Sequence, residues 1–170
     1  TMTATKHDQE SDCTDCRAGQ YASNTGTIDC TVCGAGKYSI TTGRTSDCDQ
    51  SCSAGMYISD TNNATKHDQE SDCIVCSAGK YSTSTGRTSD CDICMAGTYI
   101  SDTTTATKHD QEFDCVVCSA GKYSTDTGRT SDCDQNCIAG KYKTALQSEC
   151  TVCSAGKYST ATGRTSDCDQ

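Results

Sequence analysis

The sequence predicts a small disulfide-rich tandem repeat, an elongated rod of short β-hairpins and irregular loops with minimal helix. Three observations lead to this fold class. All eight tyrosines lie five residues after a cysteine and two after a glycine, so one short unit, Cys-x-Ala-Gly-x-Tyr or a close variant, recurs along the chain. The 170 residues include 17 cysteines but neither tryptophan nor proline. No segment has a sustained apolar period of 3.6 residues, which argues against helix.

Apolar side chains are too few to close a shared hydrophobic core, since Phe113 and Leu146 are the only residues of their types. A chain this poor in apolar groups would be disordered without another source of stability. Cysteine at this density indicates disulfides, and therefore an oxidising compartment. A bridge that closes a loop of about 15 residues contributes roughly 3 kcal/mol. We therefore expect an extracellular or cell-surface protein that is stabilised mainly by its disulfides.

Cysteine pairs divide the chain into eight units, and the units alternate between two kinds. Those that start at Cys30, Cys73, Cys115 and Cys150 are nearly identical, whereas the units between them vary in length. The two ends match internal parts of the repeat, so we interpret the sequence as a window on a longer periodic protein. Our division is a tail of an upstream repeat (1–12), four repeat pairs (13–47, 48–90, 91–132 and 133–167) and the start of the next repeat (168–170).

Two variable units are longer because they contain an insert that is itself repeated. Residues 64–72 match residues 106–114, and residues 4–12 are a third copy. The insert carries side chains that could ligate a divalent cation, which in one copy are His67, Asp68, Glu70 and Asp72. Calcium, however, prefers several oxygens in a shaped loop, and no glycine shapes this one. We expect a solvated polar loop and no metal site.

Two disulfide connectivities are compatible with the cysteine spacing. In the local scheme, the second cysteine of each pair joins the first cysteine of the next pair. Its bridges are Cys16–Cys30, Cys33–Cys48, Cys52–Cys73, Cys76–Cys91, Cys94–Cys115, Cys118–Cys133, Cys137–Cys150 and Cys153–Cys168. Cys13 is then unpaired within this sequence. In the interlocked scheme, the first cysteine of each repeat pair joins the third and the second joins the fourth, as in Cys13–Cys30 and Cys16–Cys33. Cys168 is then left without a partner in this sequence. We favour the local scheme because it treats all units alike and accommodates loops of different length.

The first two cysteine pairs also have the spacing of a four-cysteine zinc site, with two residues within each pair and 13 between the pairs. Repetition weakens this reading. The pairs Cys48/Cys52 and Cys133/Cys137 have three intervening residues, and no basic knuckle surrounds the others. We therefore predict no bound metal and no cofactor.

The glycine and the tyrosine of the motif are expected to have structural roles. The glycine allows the backbone to turn closely around the bridge, and the tyrosine ring covers a disulfide or the neighbouring unit. The alternative for the tyrosines is a row of exposed ligand contacts. The residues concerned are Tyr21, Tyr38, Tyr57, Tyr81, Tyr99, Tyr123, Tyr142 and Tyr158. The segment Gly-Lys-Tyr-Ser-Thr predicts a short strand. The segment Thr-Gly-Arg-Thr predicts turns with positive φ at Gly43, Gly86, Gly128 and Gly163.

The spacing Cys-x-x-Cys-x-x-Gly-x-Tyr, with a glycine-containing turn before the next pair, resembles the ephrin-receptor-like cysteine-rich repeat. It is also similar to cysteine-rich modules of the tumour-necrosis-factor-receptor and growth-factor-receptor type. The resemblance spans Cys13 to Cys168. In such modules the Cys-x-x-Gly-x-aromatic loop closes locally, which implies the local scheme here. Proline often follows the second cysteine in such repeats, whereas this chain has Ser-Ala or a similar dipeptide. The resemblance implies an architecture rather than one function.

Several function classes lack support in the sequence. The net charge is −9 and the basic residues are spread singly, so we expect no nucleic-acid partner. No apolar run approaches the roughly 20 residues of a membrane helix. No Ser-His-Asp, paired-carboxylate or phosphate-loop arrangement is distinct from the repeat, so we expect no enzyme activity.

Covalent glycans are expected on the exposed loops. Asn63-Ala64-Thr65 is the only N-glycosylation sequon. Serine and threonine make up more than a quarter of the residues, and runs such as 103–105 suggest O-linked sugar.

Our leading hypothesis is a structural segment of an extracellular disulfide-stapled repeat protein that forms a filament, stalk or surface appendage, such as a flagellar hair or secreted fibre. Its partner would be itself, as a homopolymer or a laterally packed filament. The alternative is a ligand-binding or adhesion ectodomain of a cell-surface receptor. For that alternative, Phe113 and Met95 are the candidate contact residues. A zinc-binding array is a third hypothesis.

Overall fold

A computed structural model describes residues 15–24 and 29–169 of the chain. Within these ranges there are eight disulfides, seven two-stranded antiparallel hairpins and four short 3-10 helices. The predicted fold class, a small disulfide-rich tandem repeat of β-hairpins with minimal helix, is therefore confirmed. Cys13, the upstream tail 1–12 and Gln170 lie outside the described residues. In the described part of the chain, no helix is long and apolar enough to span a bilayer.

The disulfides define eight modules, which we number M1 to M8 in chain order. Each module runs from the second cysteine of one pair to the first cysteine of the next. They are M1 (16–30), M2 (33–48), M3 (52–73), M4 (76–91), M5 (94–115), M6 (118–133), M7 (137–150) and M8 (153–168). M3 and M5 contain the insert.

Each hairpin pairs a strand that ends at the repeat tyrosine with a strand in the cysteine pair that follows. In M2, Lys37 lies opposite Ser51 and Tyr38 lies opposite Gln50. The pairs are β1 (Gln20–Tyr21) with β2 (Thr31–Val32), β3 (Lys37–Tyr38) with β4 (Gln50–Ser51), β5 (Met56–Tyr57) with β6 (Ile74–Val75), β7 (Lys80–Tyr81) with β8 (Asp92–Ile93), β9 (Thr98–Tyr99) with β10 (Val116–Val117), β11 (Lys122–Tyr123) with β12 (Gln135–Asn136), and β13 (Lys141–Tyr142) with β14 (Thr151–Val152). In M8 a single antiparallel bridge joins Tyr158 to Asp169.

The strands are only two residues long, shorter than the five-residue segment that the sequence suggested. In five hairpins the second strand starts directly after the first cysteine of the next pair, as Gln20–Tyr21 opposite Thr31–Val32 illustrates, and in the other two, with β4 and β12, it starts one residue later. Each hairpin therefore crosses the boundary between two modules, and strand pairing joins neighbours as well as closing loops.

The turn glycines adopt the positive φ that the sequence predicted. Gly43, Gly86, Gly128 and Gly163 have φ of 65° to 66°. The N–H of Gly86 in M4 donates to the carbonyl oxygen of Cys52 in M3 at 2.7 Å, and the other three turn glycines make the same bond to the preceding module. The turn therefore docks each of these modules on its predecessor.

The motif glycines, three residues after each second cysteine, also have positive φ, from 76° to 80°. Their N–H groups bind the next module. In six junctions, the glycine N–H donates to the carbonyl oxygen of the residue that follows the next tyrosine. These bonds are Gly19 to Ser39, Gly36 to Ile58, Gly55 to Ser82, Gly79 to Ile100, Gly121 to Lys143 and Gly140 to Ser159, at 2.8 to 2.9 Å.

The motif glycines further contact the module two places along the chain. A Cβ atom on Gly79 in M4 would overlap the carbonyl oxygen of Gly128 in M6. The same relation pairs Gly19 with Ala64, Gly36 with Gly86, Gly55 with Ala106, Gly97 with Ser148 and Gly121 with Gly163. At Gly140 and Gly156, by contrast, no described atom lies within 4 Å of such a Cβ. Modules thus contact both the next module and the next but one, which goes beyond the nearest-neighbour contacts that are typical of a quasi-one-dimensional stack.

Substituting Gly79 with alanine tests this contact against Gly156→Ala as a matched control. Both glycines have nearly the same φ, 77° and 80°, so the left-handed backbone costs each alanine variant about 1–2 kcal/mol. Only the Gly79→Ala methyl meets a carbonyl, so we expect it to destabilise the protein by about 1–3 kcal/mol more than Gly156→Ala. Thermal unfolding followed by tyrosine circular dichroism, with the disulfides intact, measures the difference. Equal losses would contradict the contact between M4 and M6.

Candidate functional site

The disulfide pattern of the described residues is the local scheme. All eight bridges join the second cysteine of one pair to the first of the next, with 13 to 21 residues of separation. The interlocked bridge Cys16–Cys33 does not occur, because Cys16 pairs with Cys30 and Cys33 with Cys48. Three cysteines of the four-cysteine zinc pattern are therefore disulfide-bonded and offer no thiolate to a metal ion, namely Cys16, Cys30 and Cys33.

Small apolar clusters form around the disulfides of the two insert modules. In M3 the buried residues Cys52, Ile58 and Cys73 form one cluster, and Tyr38 of M2 packs against it. The equivalent cluster in M5 contains Cys94, Ile100 and Cys115, with Tyr81 of M4 against it. These two tyrosines therefore pack against the disulfide cluster of the following module. Tyr158 in M8 is 69% exposed.

Each insert folds into two single-turn 3-10 helices, η1 (Ala64–Lys66) and η2 (Glu70–Asp72) in M3, and η3 (Ala106–Lys108) and η4 (Glu112–Asp114) in M5. Local capping explains these turns. Asn63 Oδ1 accepts the N–H of Thr65 at the start of η1. The Asp72 carboxylate accepts the N–H groups of Asp68 and Gln69, each at 3.0 Å. Burial, and then the neighbouring charge of Asp72, raise the pKa of Asp68.

The prediction of a solvated insert loop is wrong for the histidines. His67 and His109 have no exposed surface. Nδ1 of His67 lies 2.7 Å from the carbonyl oxygen of Lys37 in M2, and Nε2 lies 3.0 Å from the carbonyl oxygen of Asp60. This burial could not be predicted from the sequence, because the contact partner, the carbonyl oxygen of Lys37, is 30 residues away along the chain.

The candidate cation ligands of the insert do not converge on a centre. Both nitrogens of His67 face backbone carbonyls, and the Asp72 carboxylate caps its own loop. Among the described residues, only Cys33, Asp47 and Cys48 bring three potential ligand atoms within 4.8 Å of one another, and those two cysteines form a disulfide. The insert is therefore built for packing.

The insert also replaces the Gly-Arg turn in the module junctions. In M4, the carbonyl oxygen of Arg87 accepts the N–H of Ile58, which follows the tyrosine of M3. In M3 the carbonyl oxygen of His67 accepts the N–H of Ser39 in M2 at 2.9 Å. In M5 the carbonyl oxygen of His109 accepts the N–H of Ser82 in M4 at 2.7 Å. Two unrelated sequences thus present an equivalent acceptor to the preceding module.

M7 has neither the insert nor a Gly-Arg turn, and its junction with M6 contains a buried lysine. Lys143 occupies the position of Ile58 and Ile100 and is fully buried. Its ammonium group donates to the carbonyl oxygens of Cys118 at 2.6 Å and Ser119 at 3.3 Å. Burial lowers the pKa of Lys143, and the charge of Asp132 opposes this.

A cavity of about 440 Å³ opens beside M7, where an insert is missing. Its lining includes Ala96, Tyr123, Ile138, Lys141 and Glu149, from three successive modules. A smaller cavity in M5, of about 360 Å³, lies beside Phe113 and Val116, which are 79% and 52% exposed. Met95 is also exposed, at 64%. The two residues that the receptor hypothesis singled out are therefore accessible.

The constant modules M2, M4, M6 and M8 share a polar network that explains why their sequence is uniform. In M4 the Lys80 ammonium contacts the Asp90 carboxylate at 2.6 Å, and this carboxylate accepts the N–H of Cys91 at 2.8 Å. The Arg87 guanidinium donates to the carbonyl oxygen of Asp90 and to the Asp92 carboxylate, each at 2.9 Å. The equivalent lysine–aspartate pairs are Lys37–Asp47, Lys122–Asp132 and Lys157–Asp167.

Hydrogen bonds hold these aspartates in their charged form. Burial alone would raise the pKa of Asp132. The N–H groups of Ser119 and Cys133 and the charge of Lys122 outweigh burial and lower the pKa to about 2. The pKa values of Asp47, Asp90 and Asp167 are lowered by the same kinds of bonds.

No protein-family model matches the sequence, and no curated protein is significantly similar to it. Its classification therefore rests on its own architecture. The chain is a cysteine-rich repeat, a tandem series of small disulfide-bonded β-hairpins.

Asp132→Asn tests the polar network. A carboxylate whose pKa is lowered in the folded state stabilises the protein above the unfolded pKa of about 4, and this contribution disappears as the pH falls towards 2. Allowing for partial exposure, we expect Asp132→Asn to cost about 1–2 kcal/mol at pH 7 and much less at pH 2.5.

Asp126→Asn in the same module is the control. Its side chain is 71% exposed and lies 3.7 Å from Arg129, so we expect a change of less than about 0.5 kcal/mol at either pH. Thermal unfolding at pH 7 and pH 2.5 provides the comparison. A loss for Asp132→Asn that is the same at both pH values would argue against the charged network.

Proposed function

We propose that this chain is a structural segment of an extracellular repeat protein that forms a filament, stalk or surface appendage, such as a flagellar hair or secreted fibre. The observation that carries the proposal is the repeated junction. Six motif glycines donate the same hydrogen bond to the next module, and six contact the module after that. Contacts that recur unit by unit build a continuous structure with no need for a shared core. We further propose that the repeats are of the ephrin-receptor-like kind.

The chemistry of the side chains supports a structural role. Sixteen of the 17 cysteines are joined in disulfides, which are typical of secreted and surface proteins. His67, His109 and Lys143 are buried against backbone carbonyls of the preceding module. Groups that elsewhere act as nucleophiles or bases are here used to join modules.

The two kinds of module support self-association. The constant modules repeat one arrangement of lysine, arginine and aspartate side chains, and identical surfaces give identical lateral contacts in a polymer. The inserts and long loops lie in the variable modules, where their exposed residues, such as Asn63, meet solvent or carry sugar. The partner that we propose is a second copy of the chain.

Electron microscopy of the native material, beside the purified 170-residue chain, tests this function. We expect filaments of uniform diameter in the native material, with an axial repeat that corresponds to a pair of modules. A reduced and alkylated sample is the control and should lose the filaments, because the bridges supply most of the stability. Isolated single particles in the native material would overturn the proposal.

The observation that favours the receptor alternative is the accessibility of Phe113 and its neighbouring cavity. It makes a different prediction for the same sample. Phe113→Ser would leave filaments unchanged if the function is structural, since no junction uses this side chain. If native particles are single, the same substitution should weaken attachment of the protein to cells.

We also propose that Asn63 is N-glycosylated. Asn63 is exposed, and its Oδ1 accepts both the N–H of Thr65 at 3.1 Å and the hydroxyl of Thr65 at 2.8 Å. Both bonds use the oxygen and leave the amide nitrogen, to which the sugar is attached, without a role in the turn. The equivalent residue in M5 is Thr105, which has no amide group and is a site for O-linked sugar only.

Intact-mass analysis of chain secreted from eukaryotic cells checks this site. We expect one N-glycan that peptide-N-glycosidase releases, and its loss in Asn63→Gln. Thr65→Ala is the matched variant, because it removes the sequon but keeps the asparagine. An unmodified wild-type peptide would contradict the assignment.

A further inference from the structure

We propose that His67 and His109 are imidazolium cations in the folded chain, and that their protons make each insert a pH-sensitive latch on the preceding module. This inference concerns the junctions alone and does not depend on the proposed function.

The surroundings of His67 offer a hydrogen-bond acceptor to both ring nitrogens. Nδ1 lies 2.7 Å from the carbonyl oxygen of Lys37, and Nε2 lies 3.0 Å from the carbonyl oxygen of Asp60. A carbonyl oxygen only accepts hydrogen bonds, so both contacts are hydrogen bonds only when both nitrogens carry a hydrogen. A neutral imidazole has one N–H group, whereas the imidazolium has two. Because the ring is fully buried, water cannot substitute for the missing donor.

A carboxylate stands next to this ring to balance the charge. Asp60 Oδ1 lies 3.8 Å from Nε2 of His67, and the Lys66 ammonium lies 3.8 Å from the other oxygen of the same carboxylate. Lys37, whose carbonyl faces Nδ1 from the preceding module, directs its ammonium group to Asp47. The ion-pair partner of the ring is therefore a carboxylate, whose charge is opposite to that of an imidazolium.

M5 repeats the Nδ1 contact and the neighbouring carboxylate, but not the second carbonyl contact. Nδ1 of His109 lies 2.7 Å from the carbonyl oxygen of Lys80 in M4. Nε2 lies 3.6 Å from Asp102 Oδ1, and no described group forms a hydrogen bond with this buried nitrogen. The Lys108 ammonium contacts the same carboxylate at 3.2 Å, and Lys80 directs its ammonium to Asp90. A proton on Nε2 would face this carboxylate directly.

M7 also has a buried basic side chain in its junction with the preceding module, at a different position from the histidines. There the insert is missing, and the ammonium group of Lys143 donates to the carbonyl oxygens of Cys118 and Ser119 in M6. The junctions of M2 with M3, M4 with M5 and M6 with M7 thus each place a buried basic side chain on backbone carbonyls of the preceding module. In two of the three junctions that side chain is histidine, which changes its charge between about pH 5 and 8.

The direction of the pH effect follows from proton binding. Deprotonation leaves each ring with a single N–H donor, so the contacts that hold the insert on the preceding module weaken as the pH rises. The loss is local, because the carbonyl oxygens of His67 and His109 also accept the N–H groups of Ser39 and Ser82. These two amides therefore report whether each latch is closed.

Amide hydrogen exchange of the 170-residue chain tests the proposal. We expect the protection factors of Ser39 and Ser82, corrected for the intrinsic effect of pH, to fall at least tenfold between pH 5.5 and pH 8.0. The amides of Ile58 and Ile100 are internal controls, because they donate to the carbonyl oxygens of Arg87 and Arg129 in junctions without histidine. Their protection should stay constant.

Two pairs of variants separate the charge from the packing. His67→Gln with His109→Gln should lower the protection of Ser39 and Ser82 at pH 5.5 and remove its dependence on pH. Asp60→Asn with Asp102→Asn keeps the oxygen that caps the N–H groups of Asn63 and Thr105. It removes the charge, so protection should be lost at a lower pH than in the wild type.

Nitrogen-15 spectra of the histidine rings give a direct readout of the protons. We expect hydrogens on both Nδ1 and Nε2 of His67 and His109 at pH 5.5, with loss of one hydrogen as Ser39 and Ser82 lose protection. Singly protonated rings at pH 5.5, or equal protection of Ser39 and Ser82 at both pH values, would overturn the proposal.

Discussion

The close approach of backbone to the motif glycine is the constraint on which the stack depends. Each disulfide closes one loop, but a string of closed loops has no fixed arrangement by itself. Gly36 shows what fixes it, because its N–H binds M3 while its Cα lies against the carbonyl oxygen of Gly86 in M4. A Cβ atom would occupy the space of that oxygen, and the positive φ would be strained for any other residue. Three modules thus meet at one residue, which explains how order extends along a chain without a shared core.

Two kinds of module meet this constraint with different chemistry. The constant modules use a Gly-Arg turn that a lysine–aspartate–arginine network holds in place, and the insert modules use a 3-10 turn with a buried histidine. Both present a carbonyl oxygen to the module before them, so one can follow the other in the stack. Only the acceptor position is shared. The loops that present it can therefore change in length, which leaves the variable modules available for cavities, exposed apolar side chains and sugar.

The insert shows why part of the candidate site was beyond sequence reasoning. His67 lies in a polar segment with four acidic or amide neighbours, and such a segment normally faces water. Its burial depends on the carbonyl oxygen of Lys37, which the stacking of M3 on M2 brings to the ring. Lys143 is a second case, since a lysine after the repeat tyrosine gives no indication of being buried. The positions of the tyrosines and turn glycines were accessible because their roles are local and repeat with the cysteines.

The sequence by itself determined the repeat and the tandem hairpin architecture, because the spacing of cysteine, glycine and tyrosine recurs along the chain. It also determined the dominance of disulfides, because the composition includes too few apolar groups to form a core. It also determined the positive φ of Gly43 and its equivalents, because turn chemistry acts over a few residues. Tertiary structure alone decided how the modules stack, which carbonyls the buried histidines and Lys143 bind, and where the cavity beside M7 opens. Those features arise from contacts between modules, and a pattern along the chain carries no information about which distant backbone group will face a given side chain.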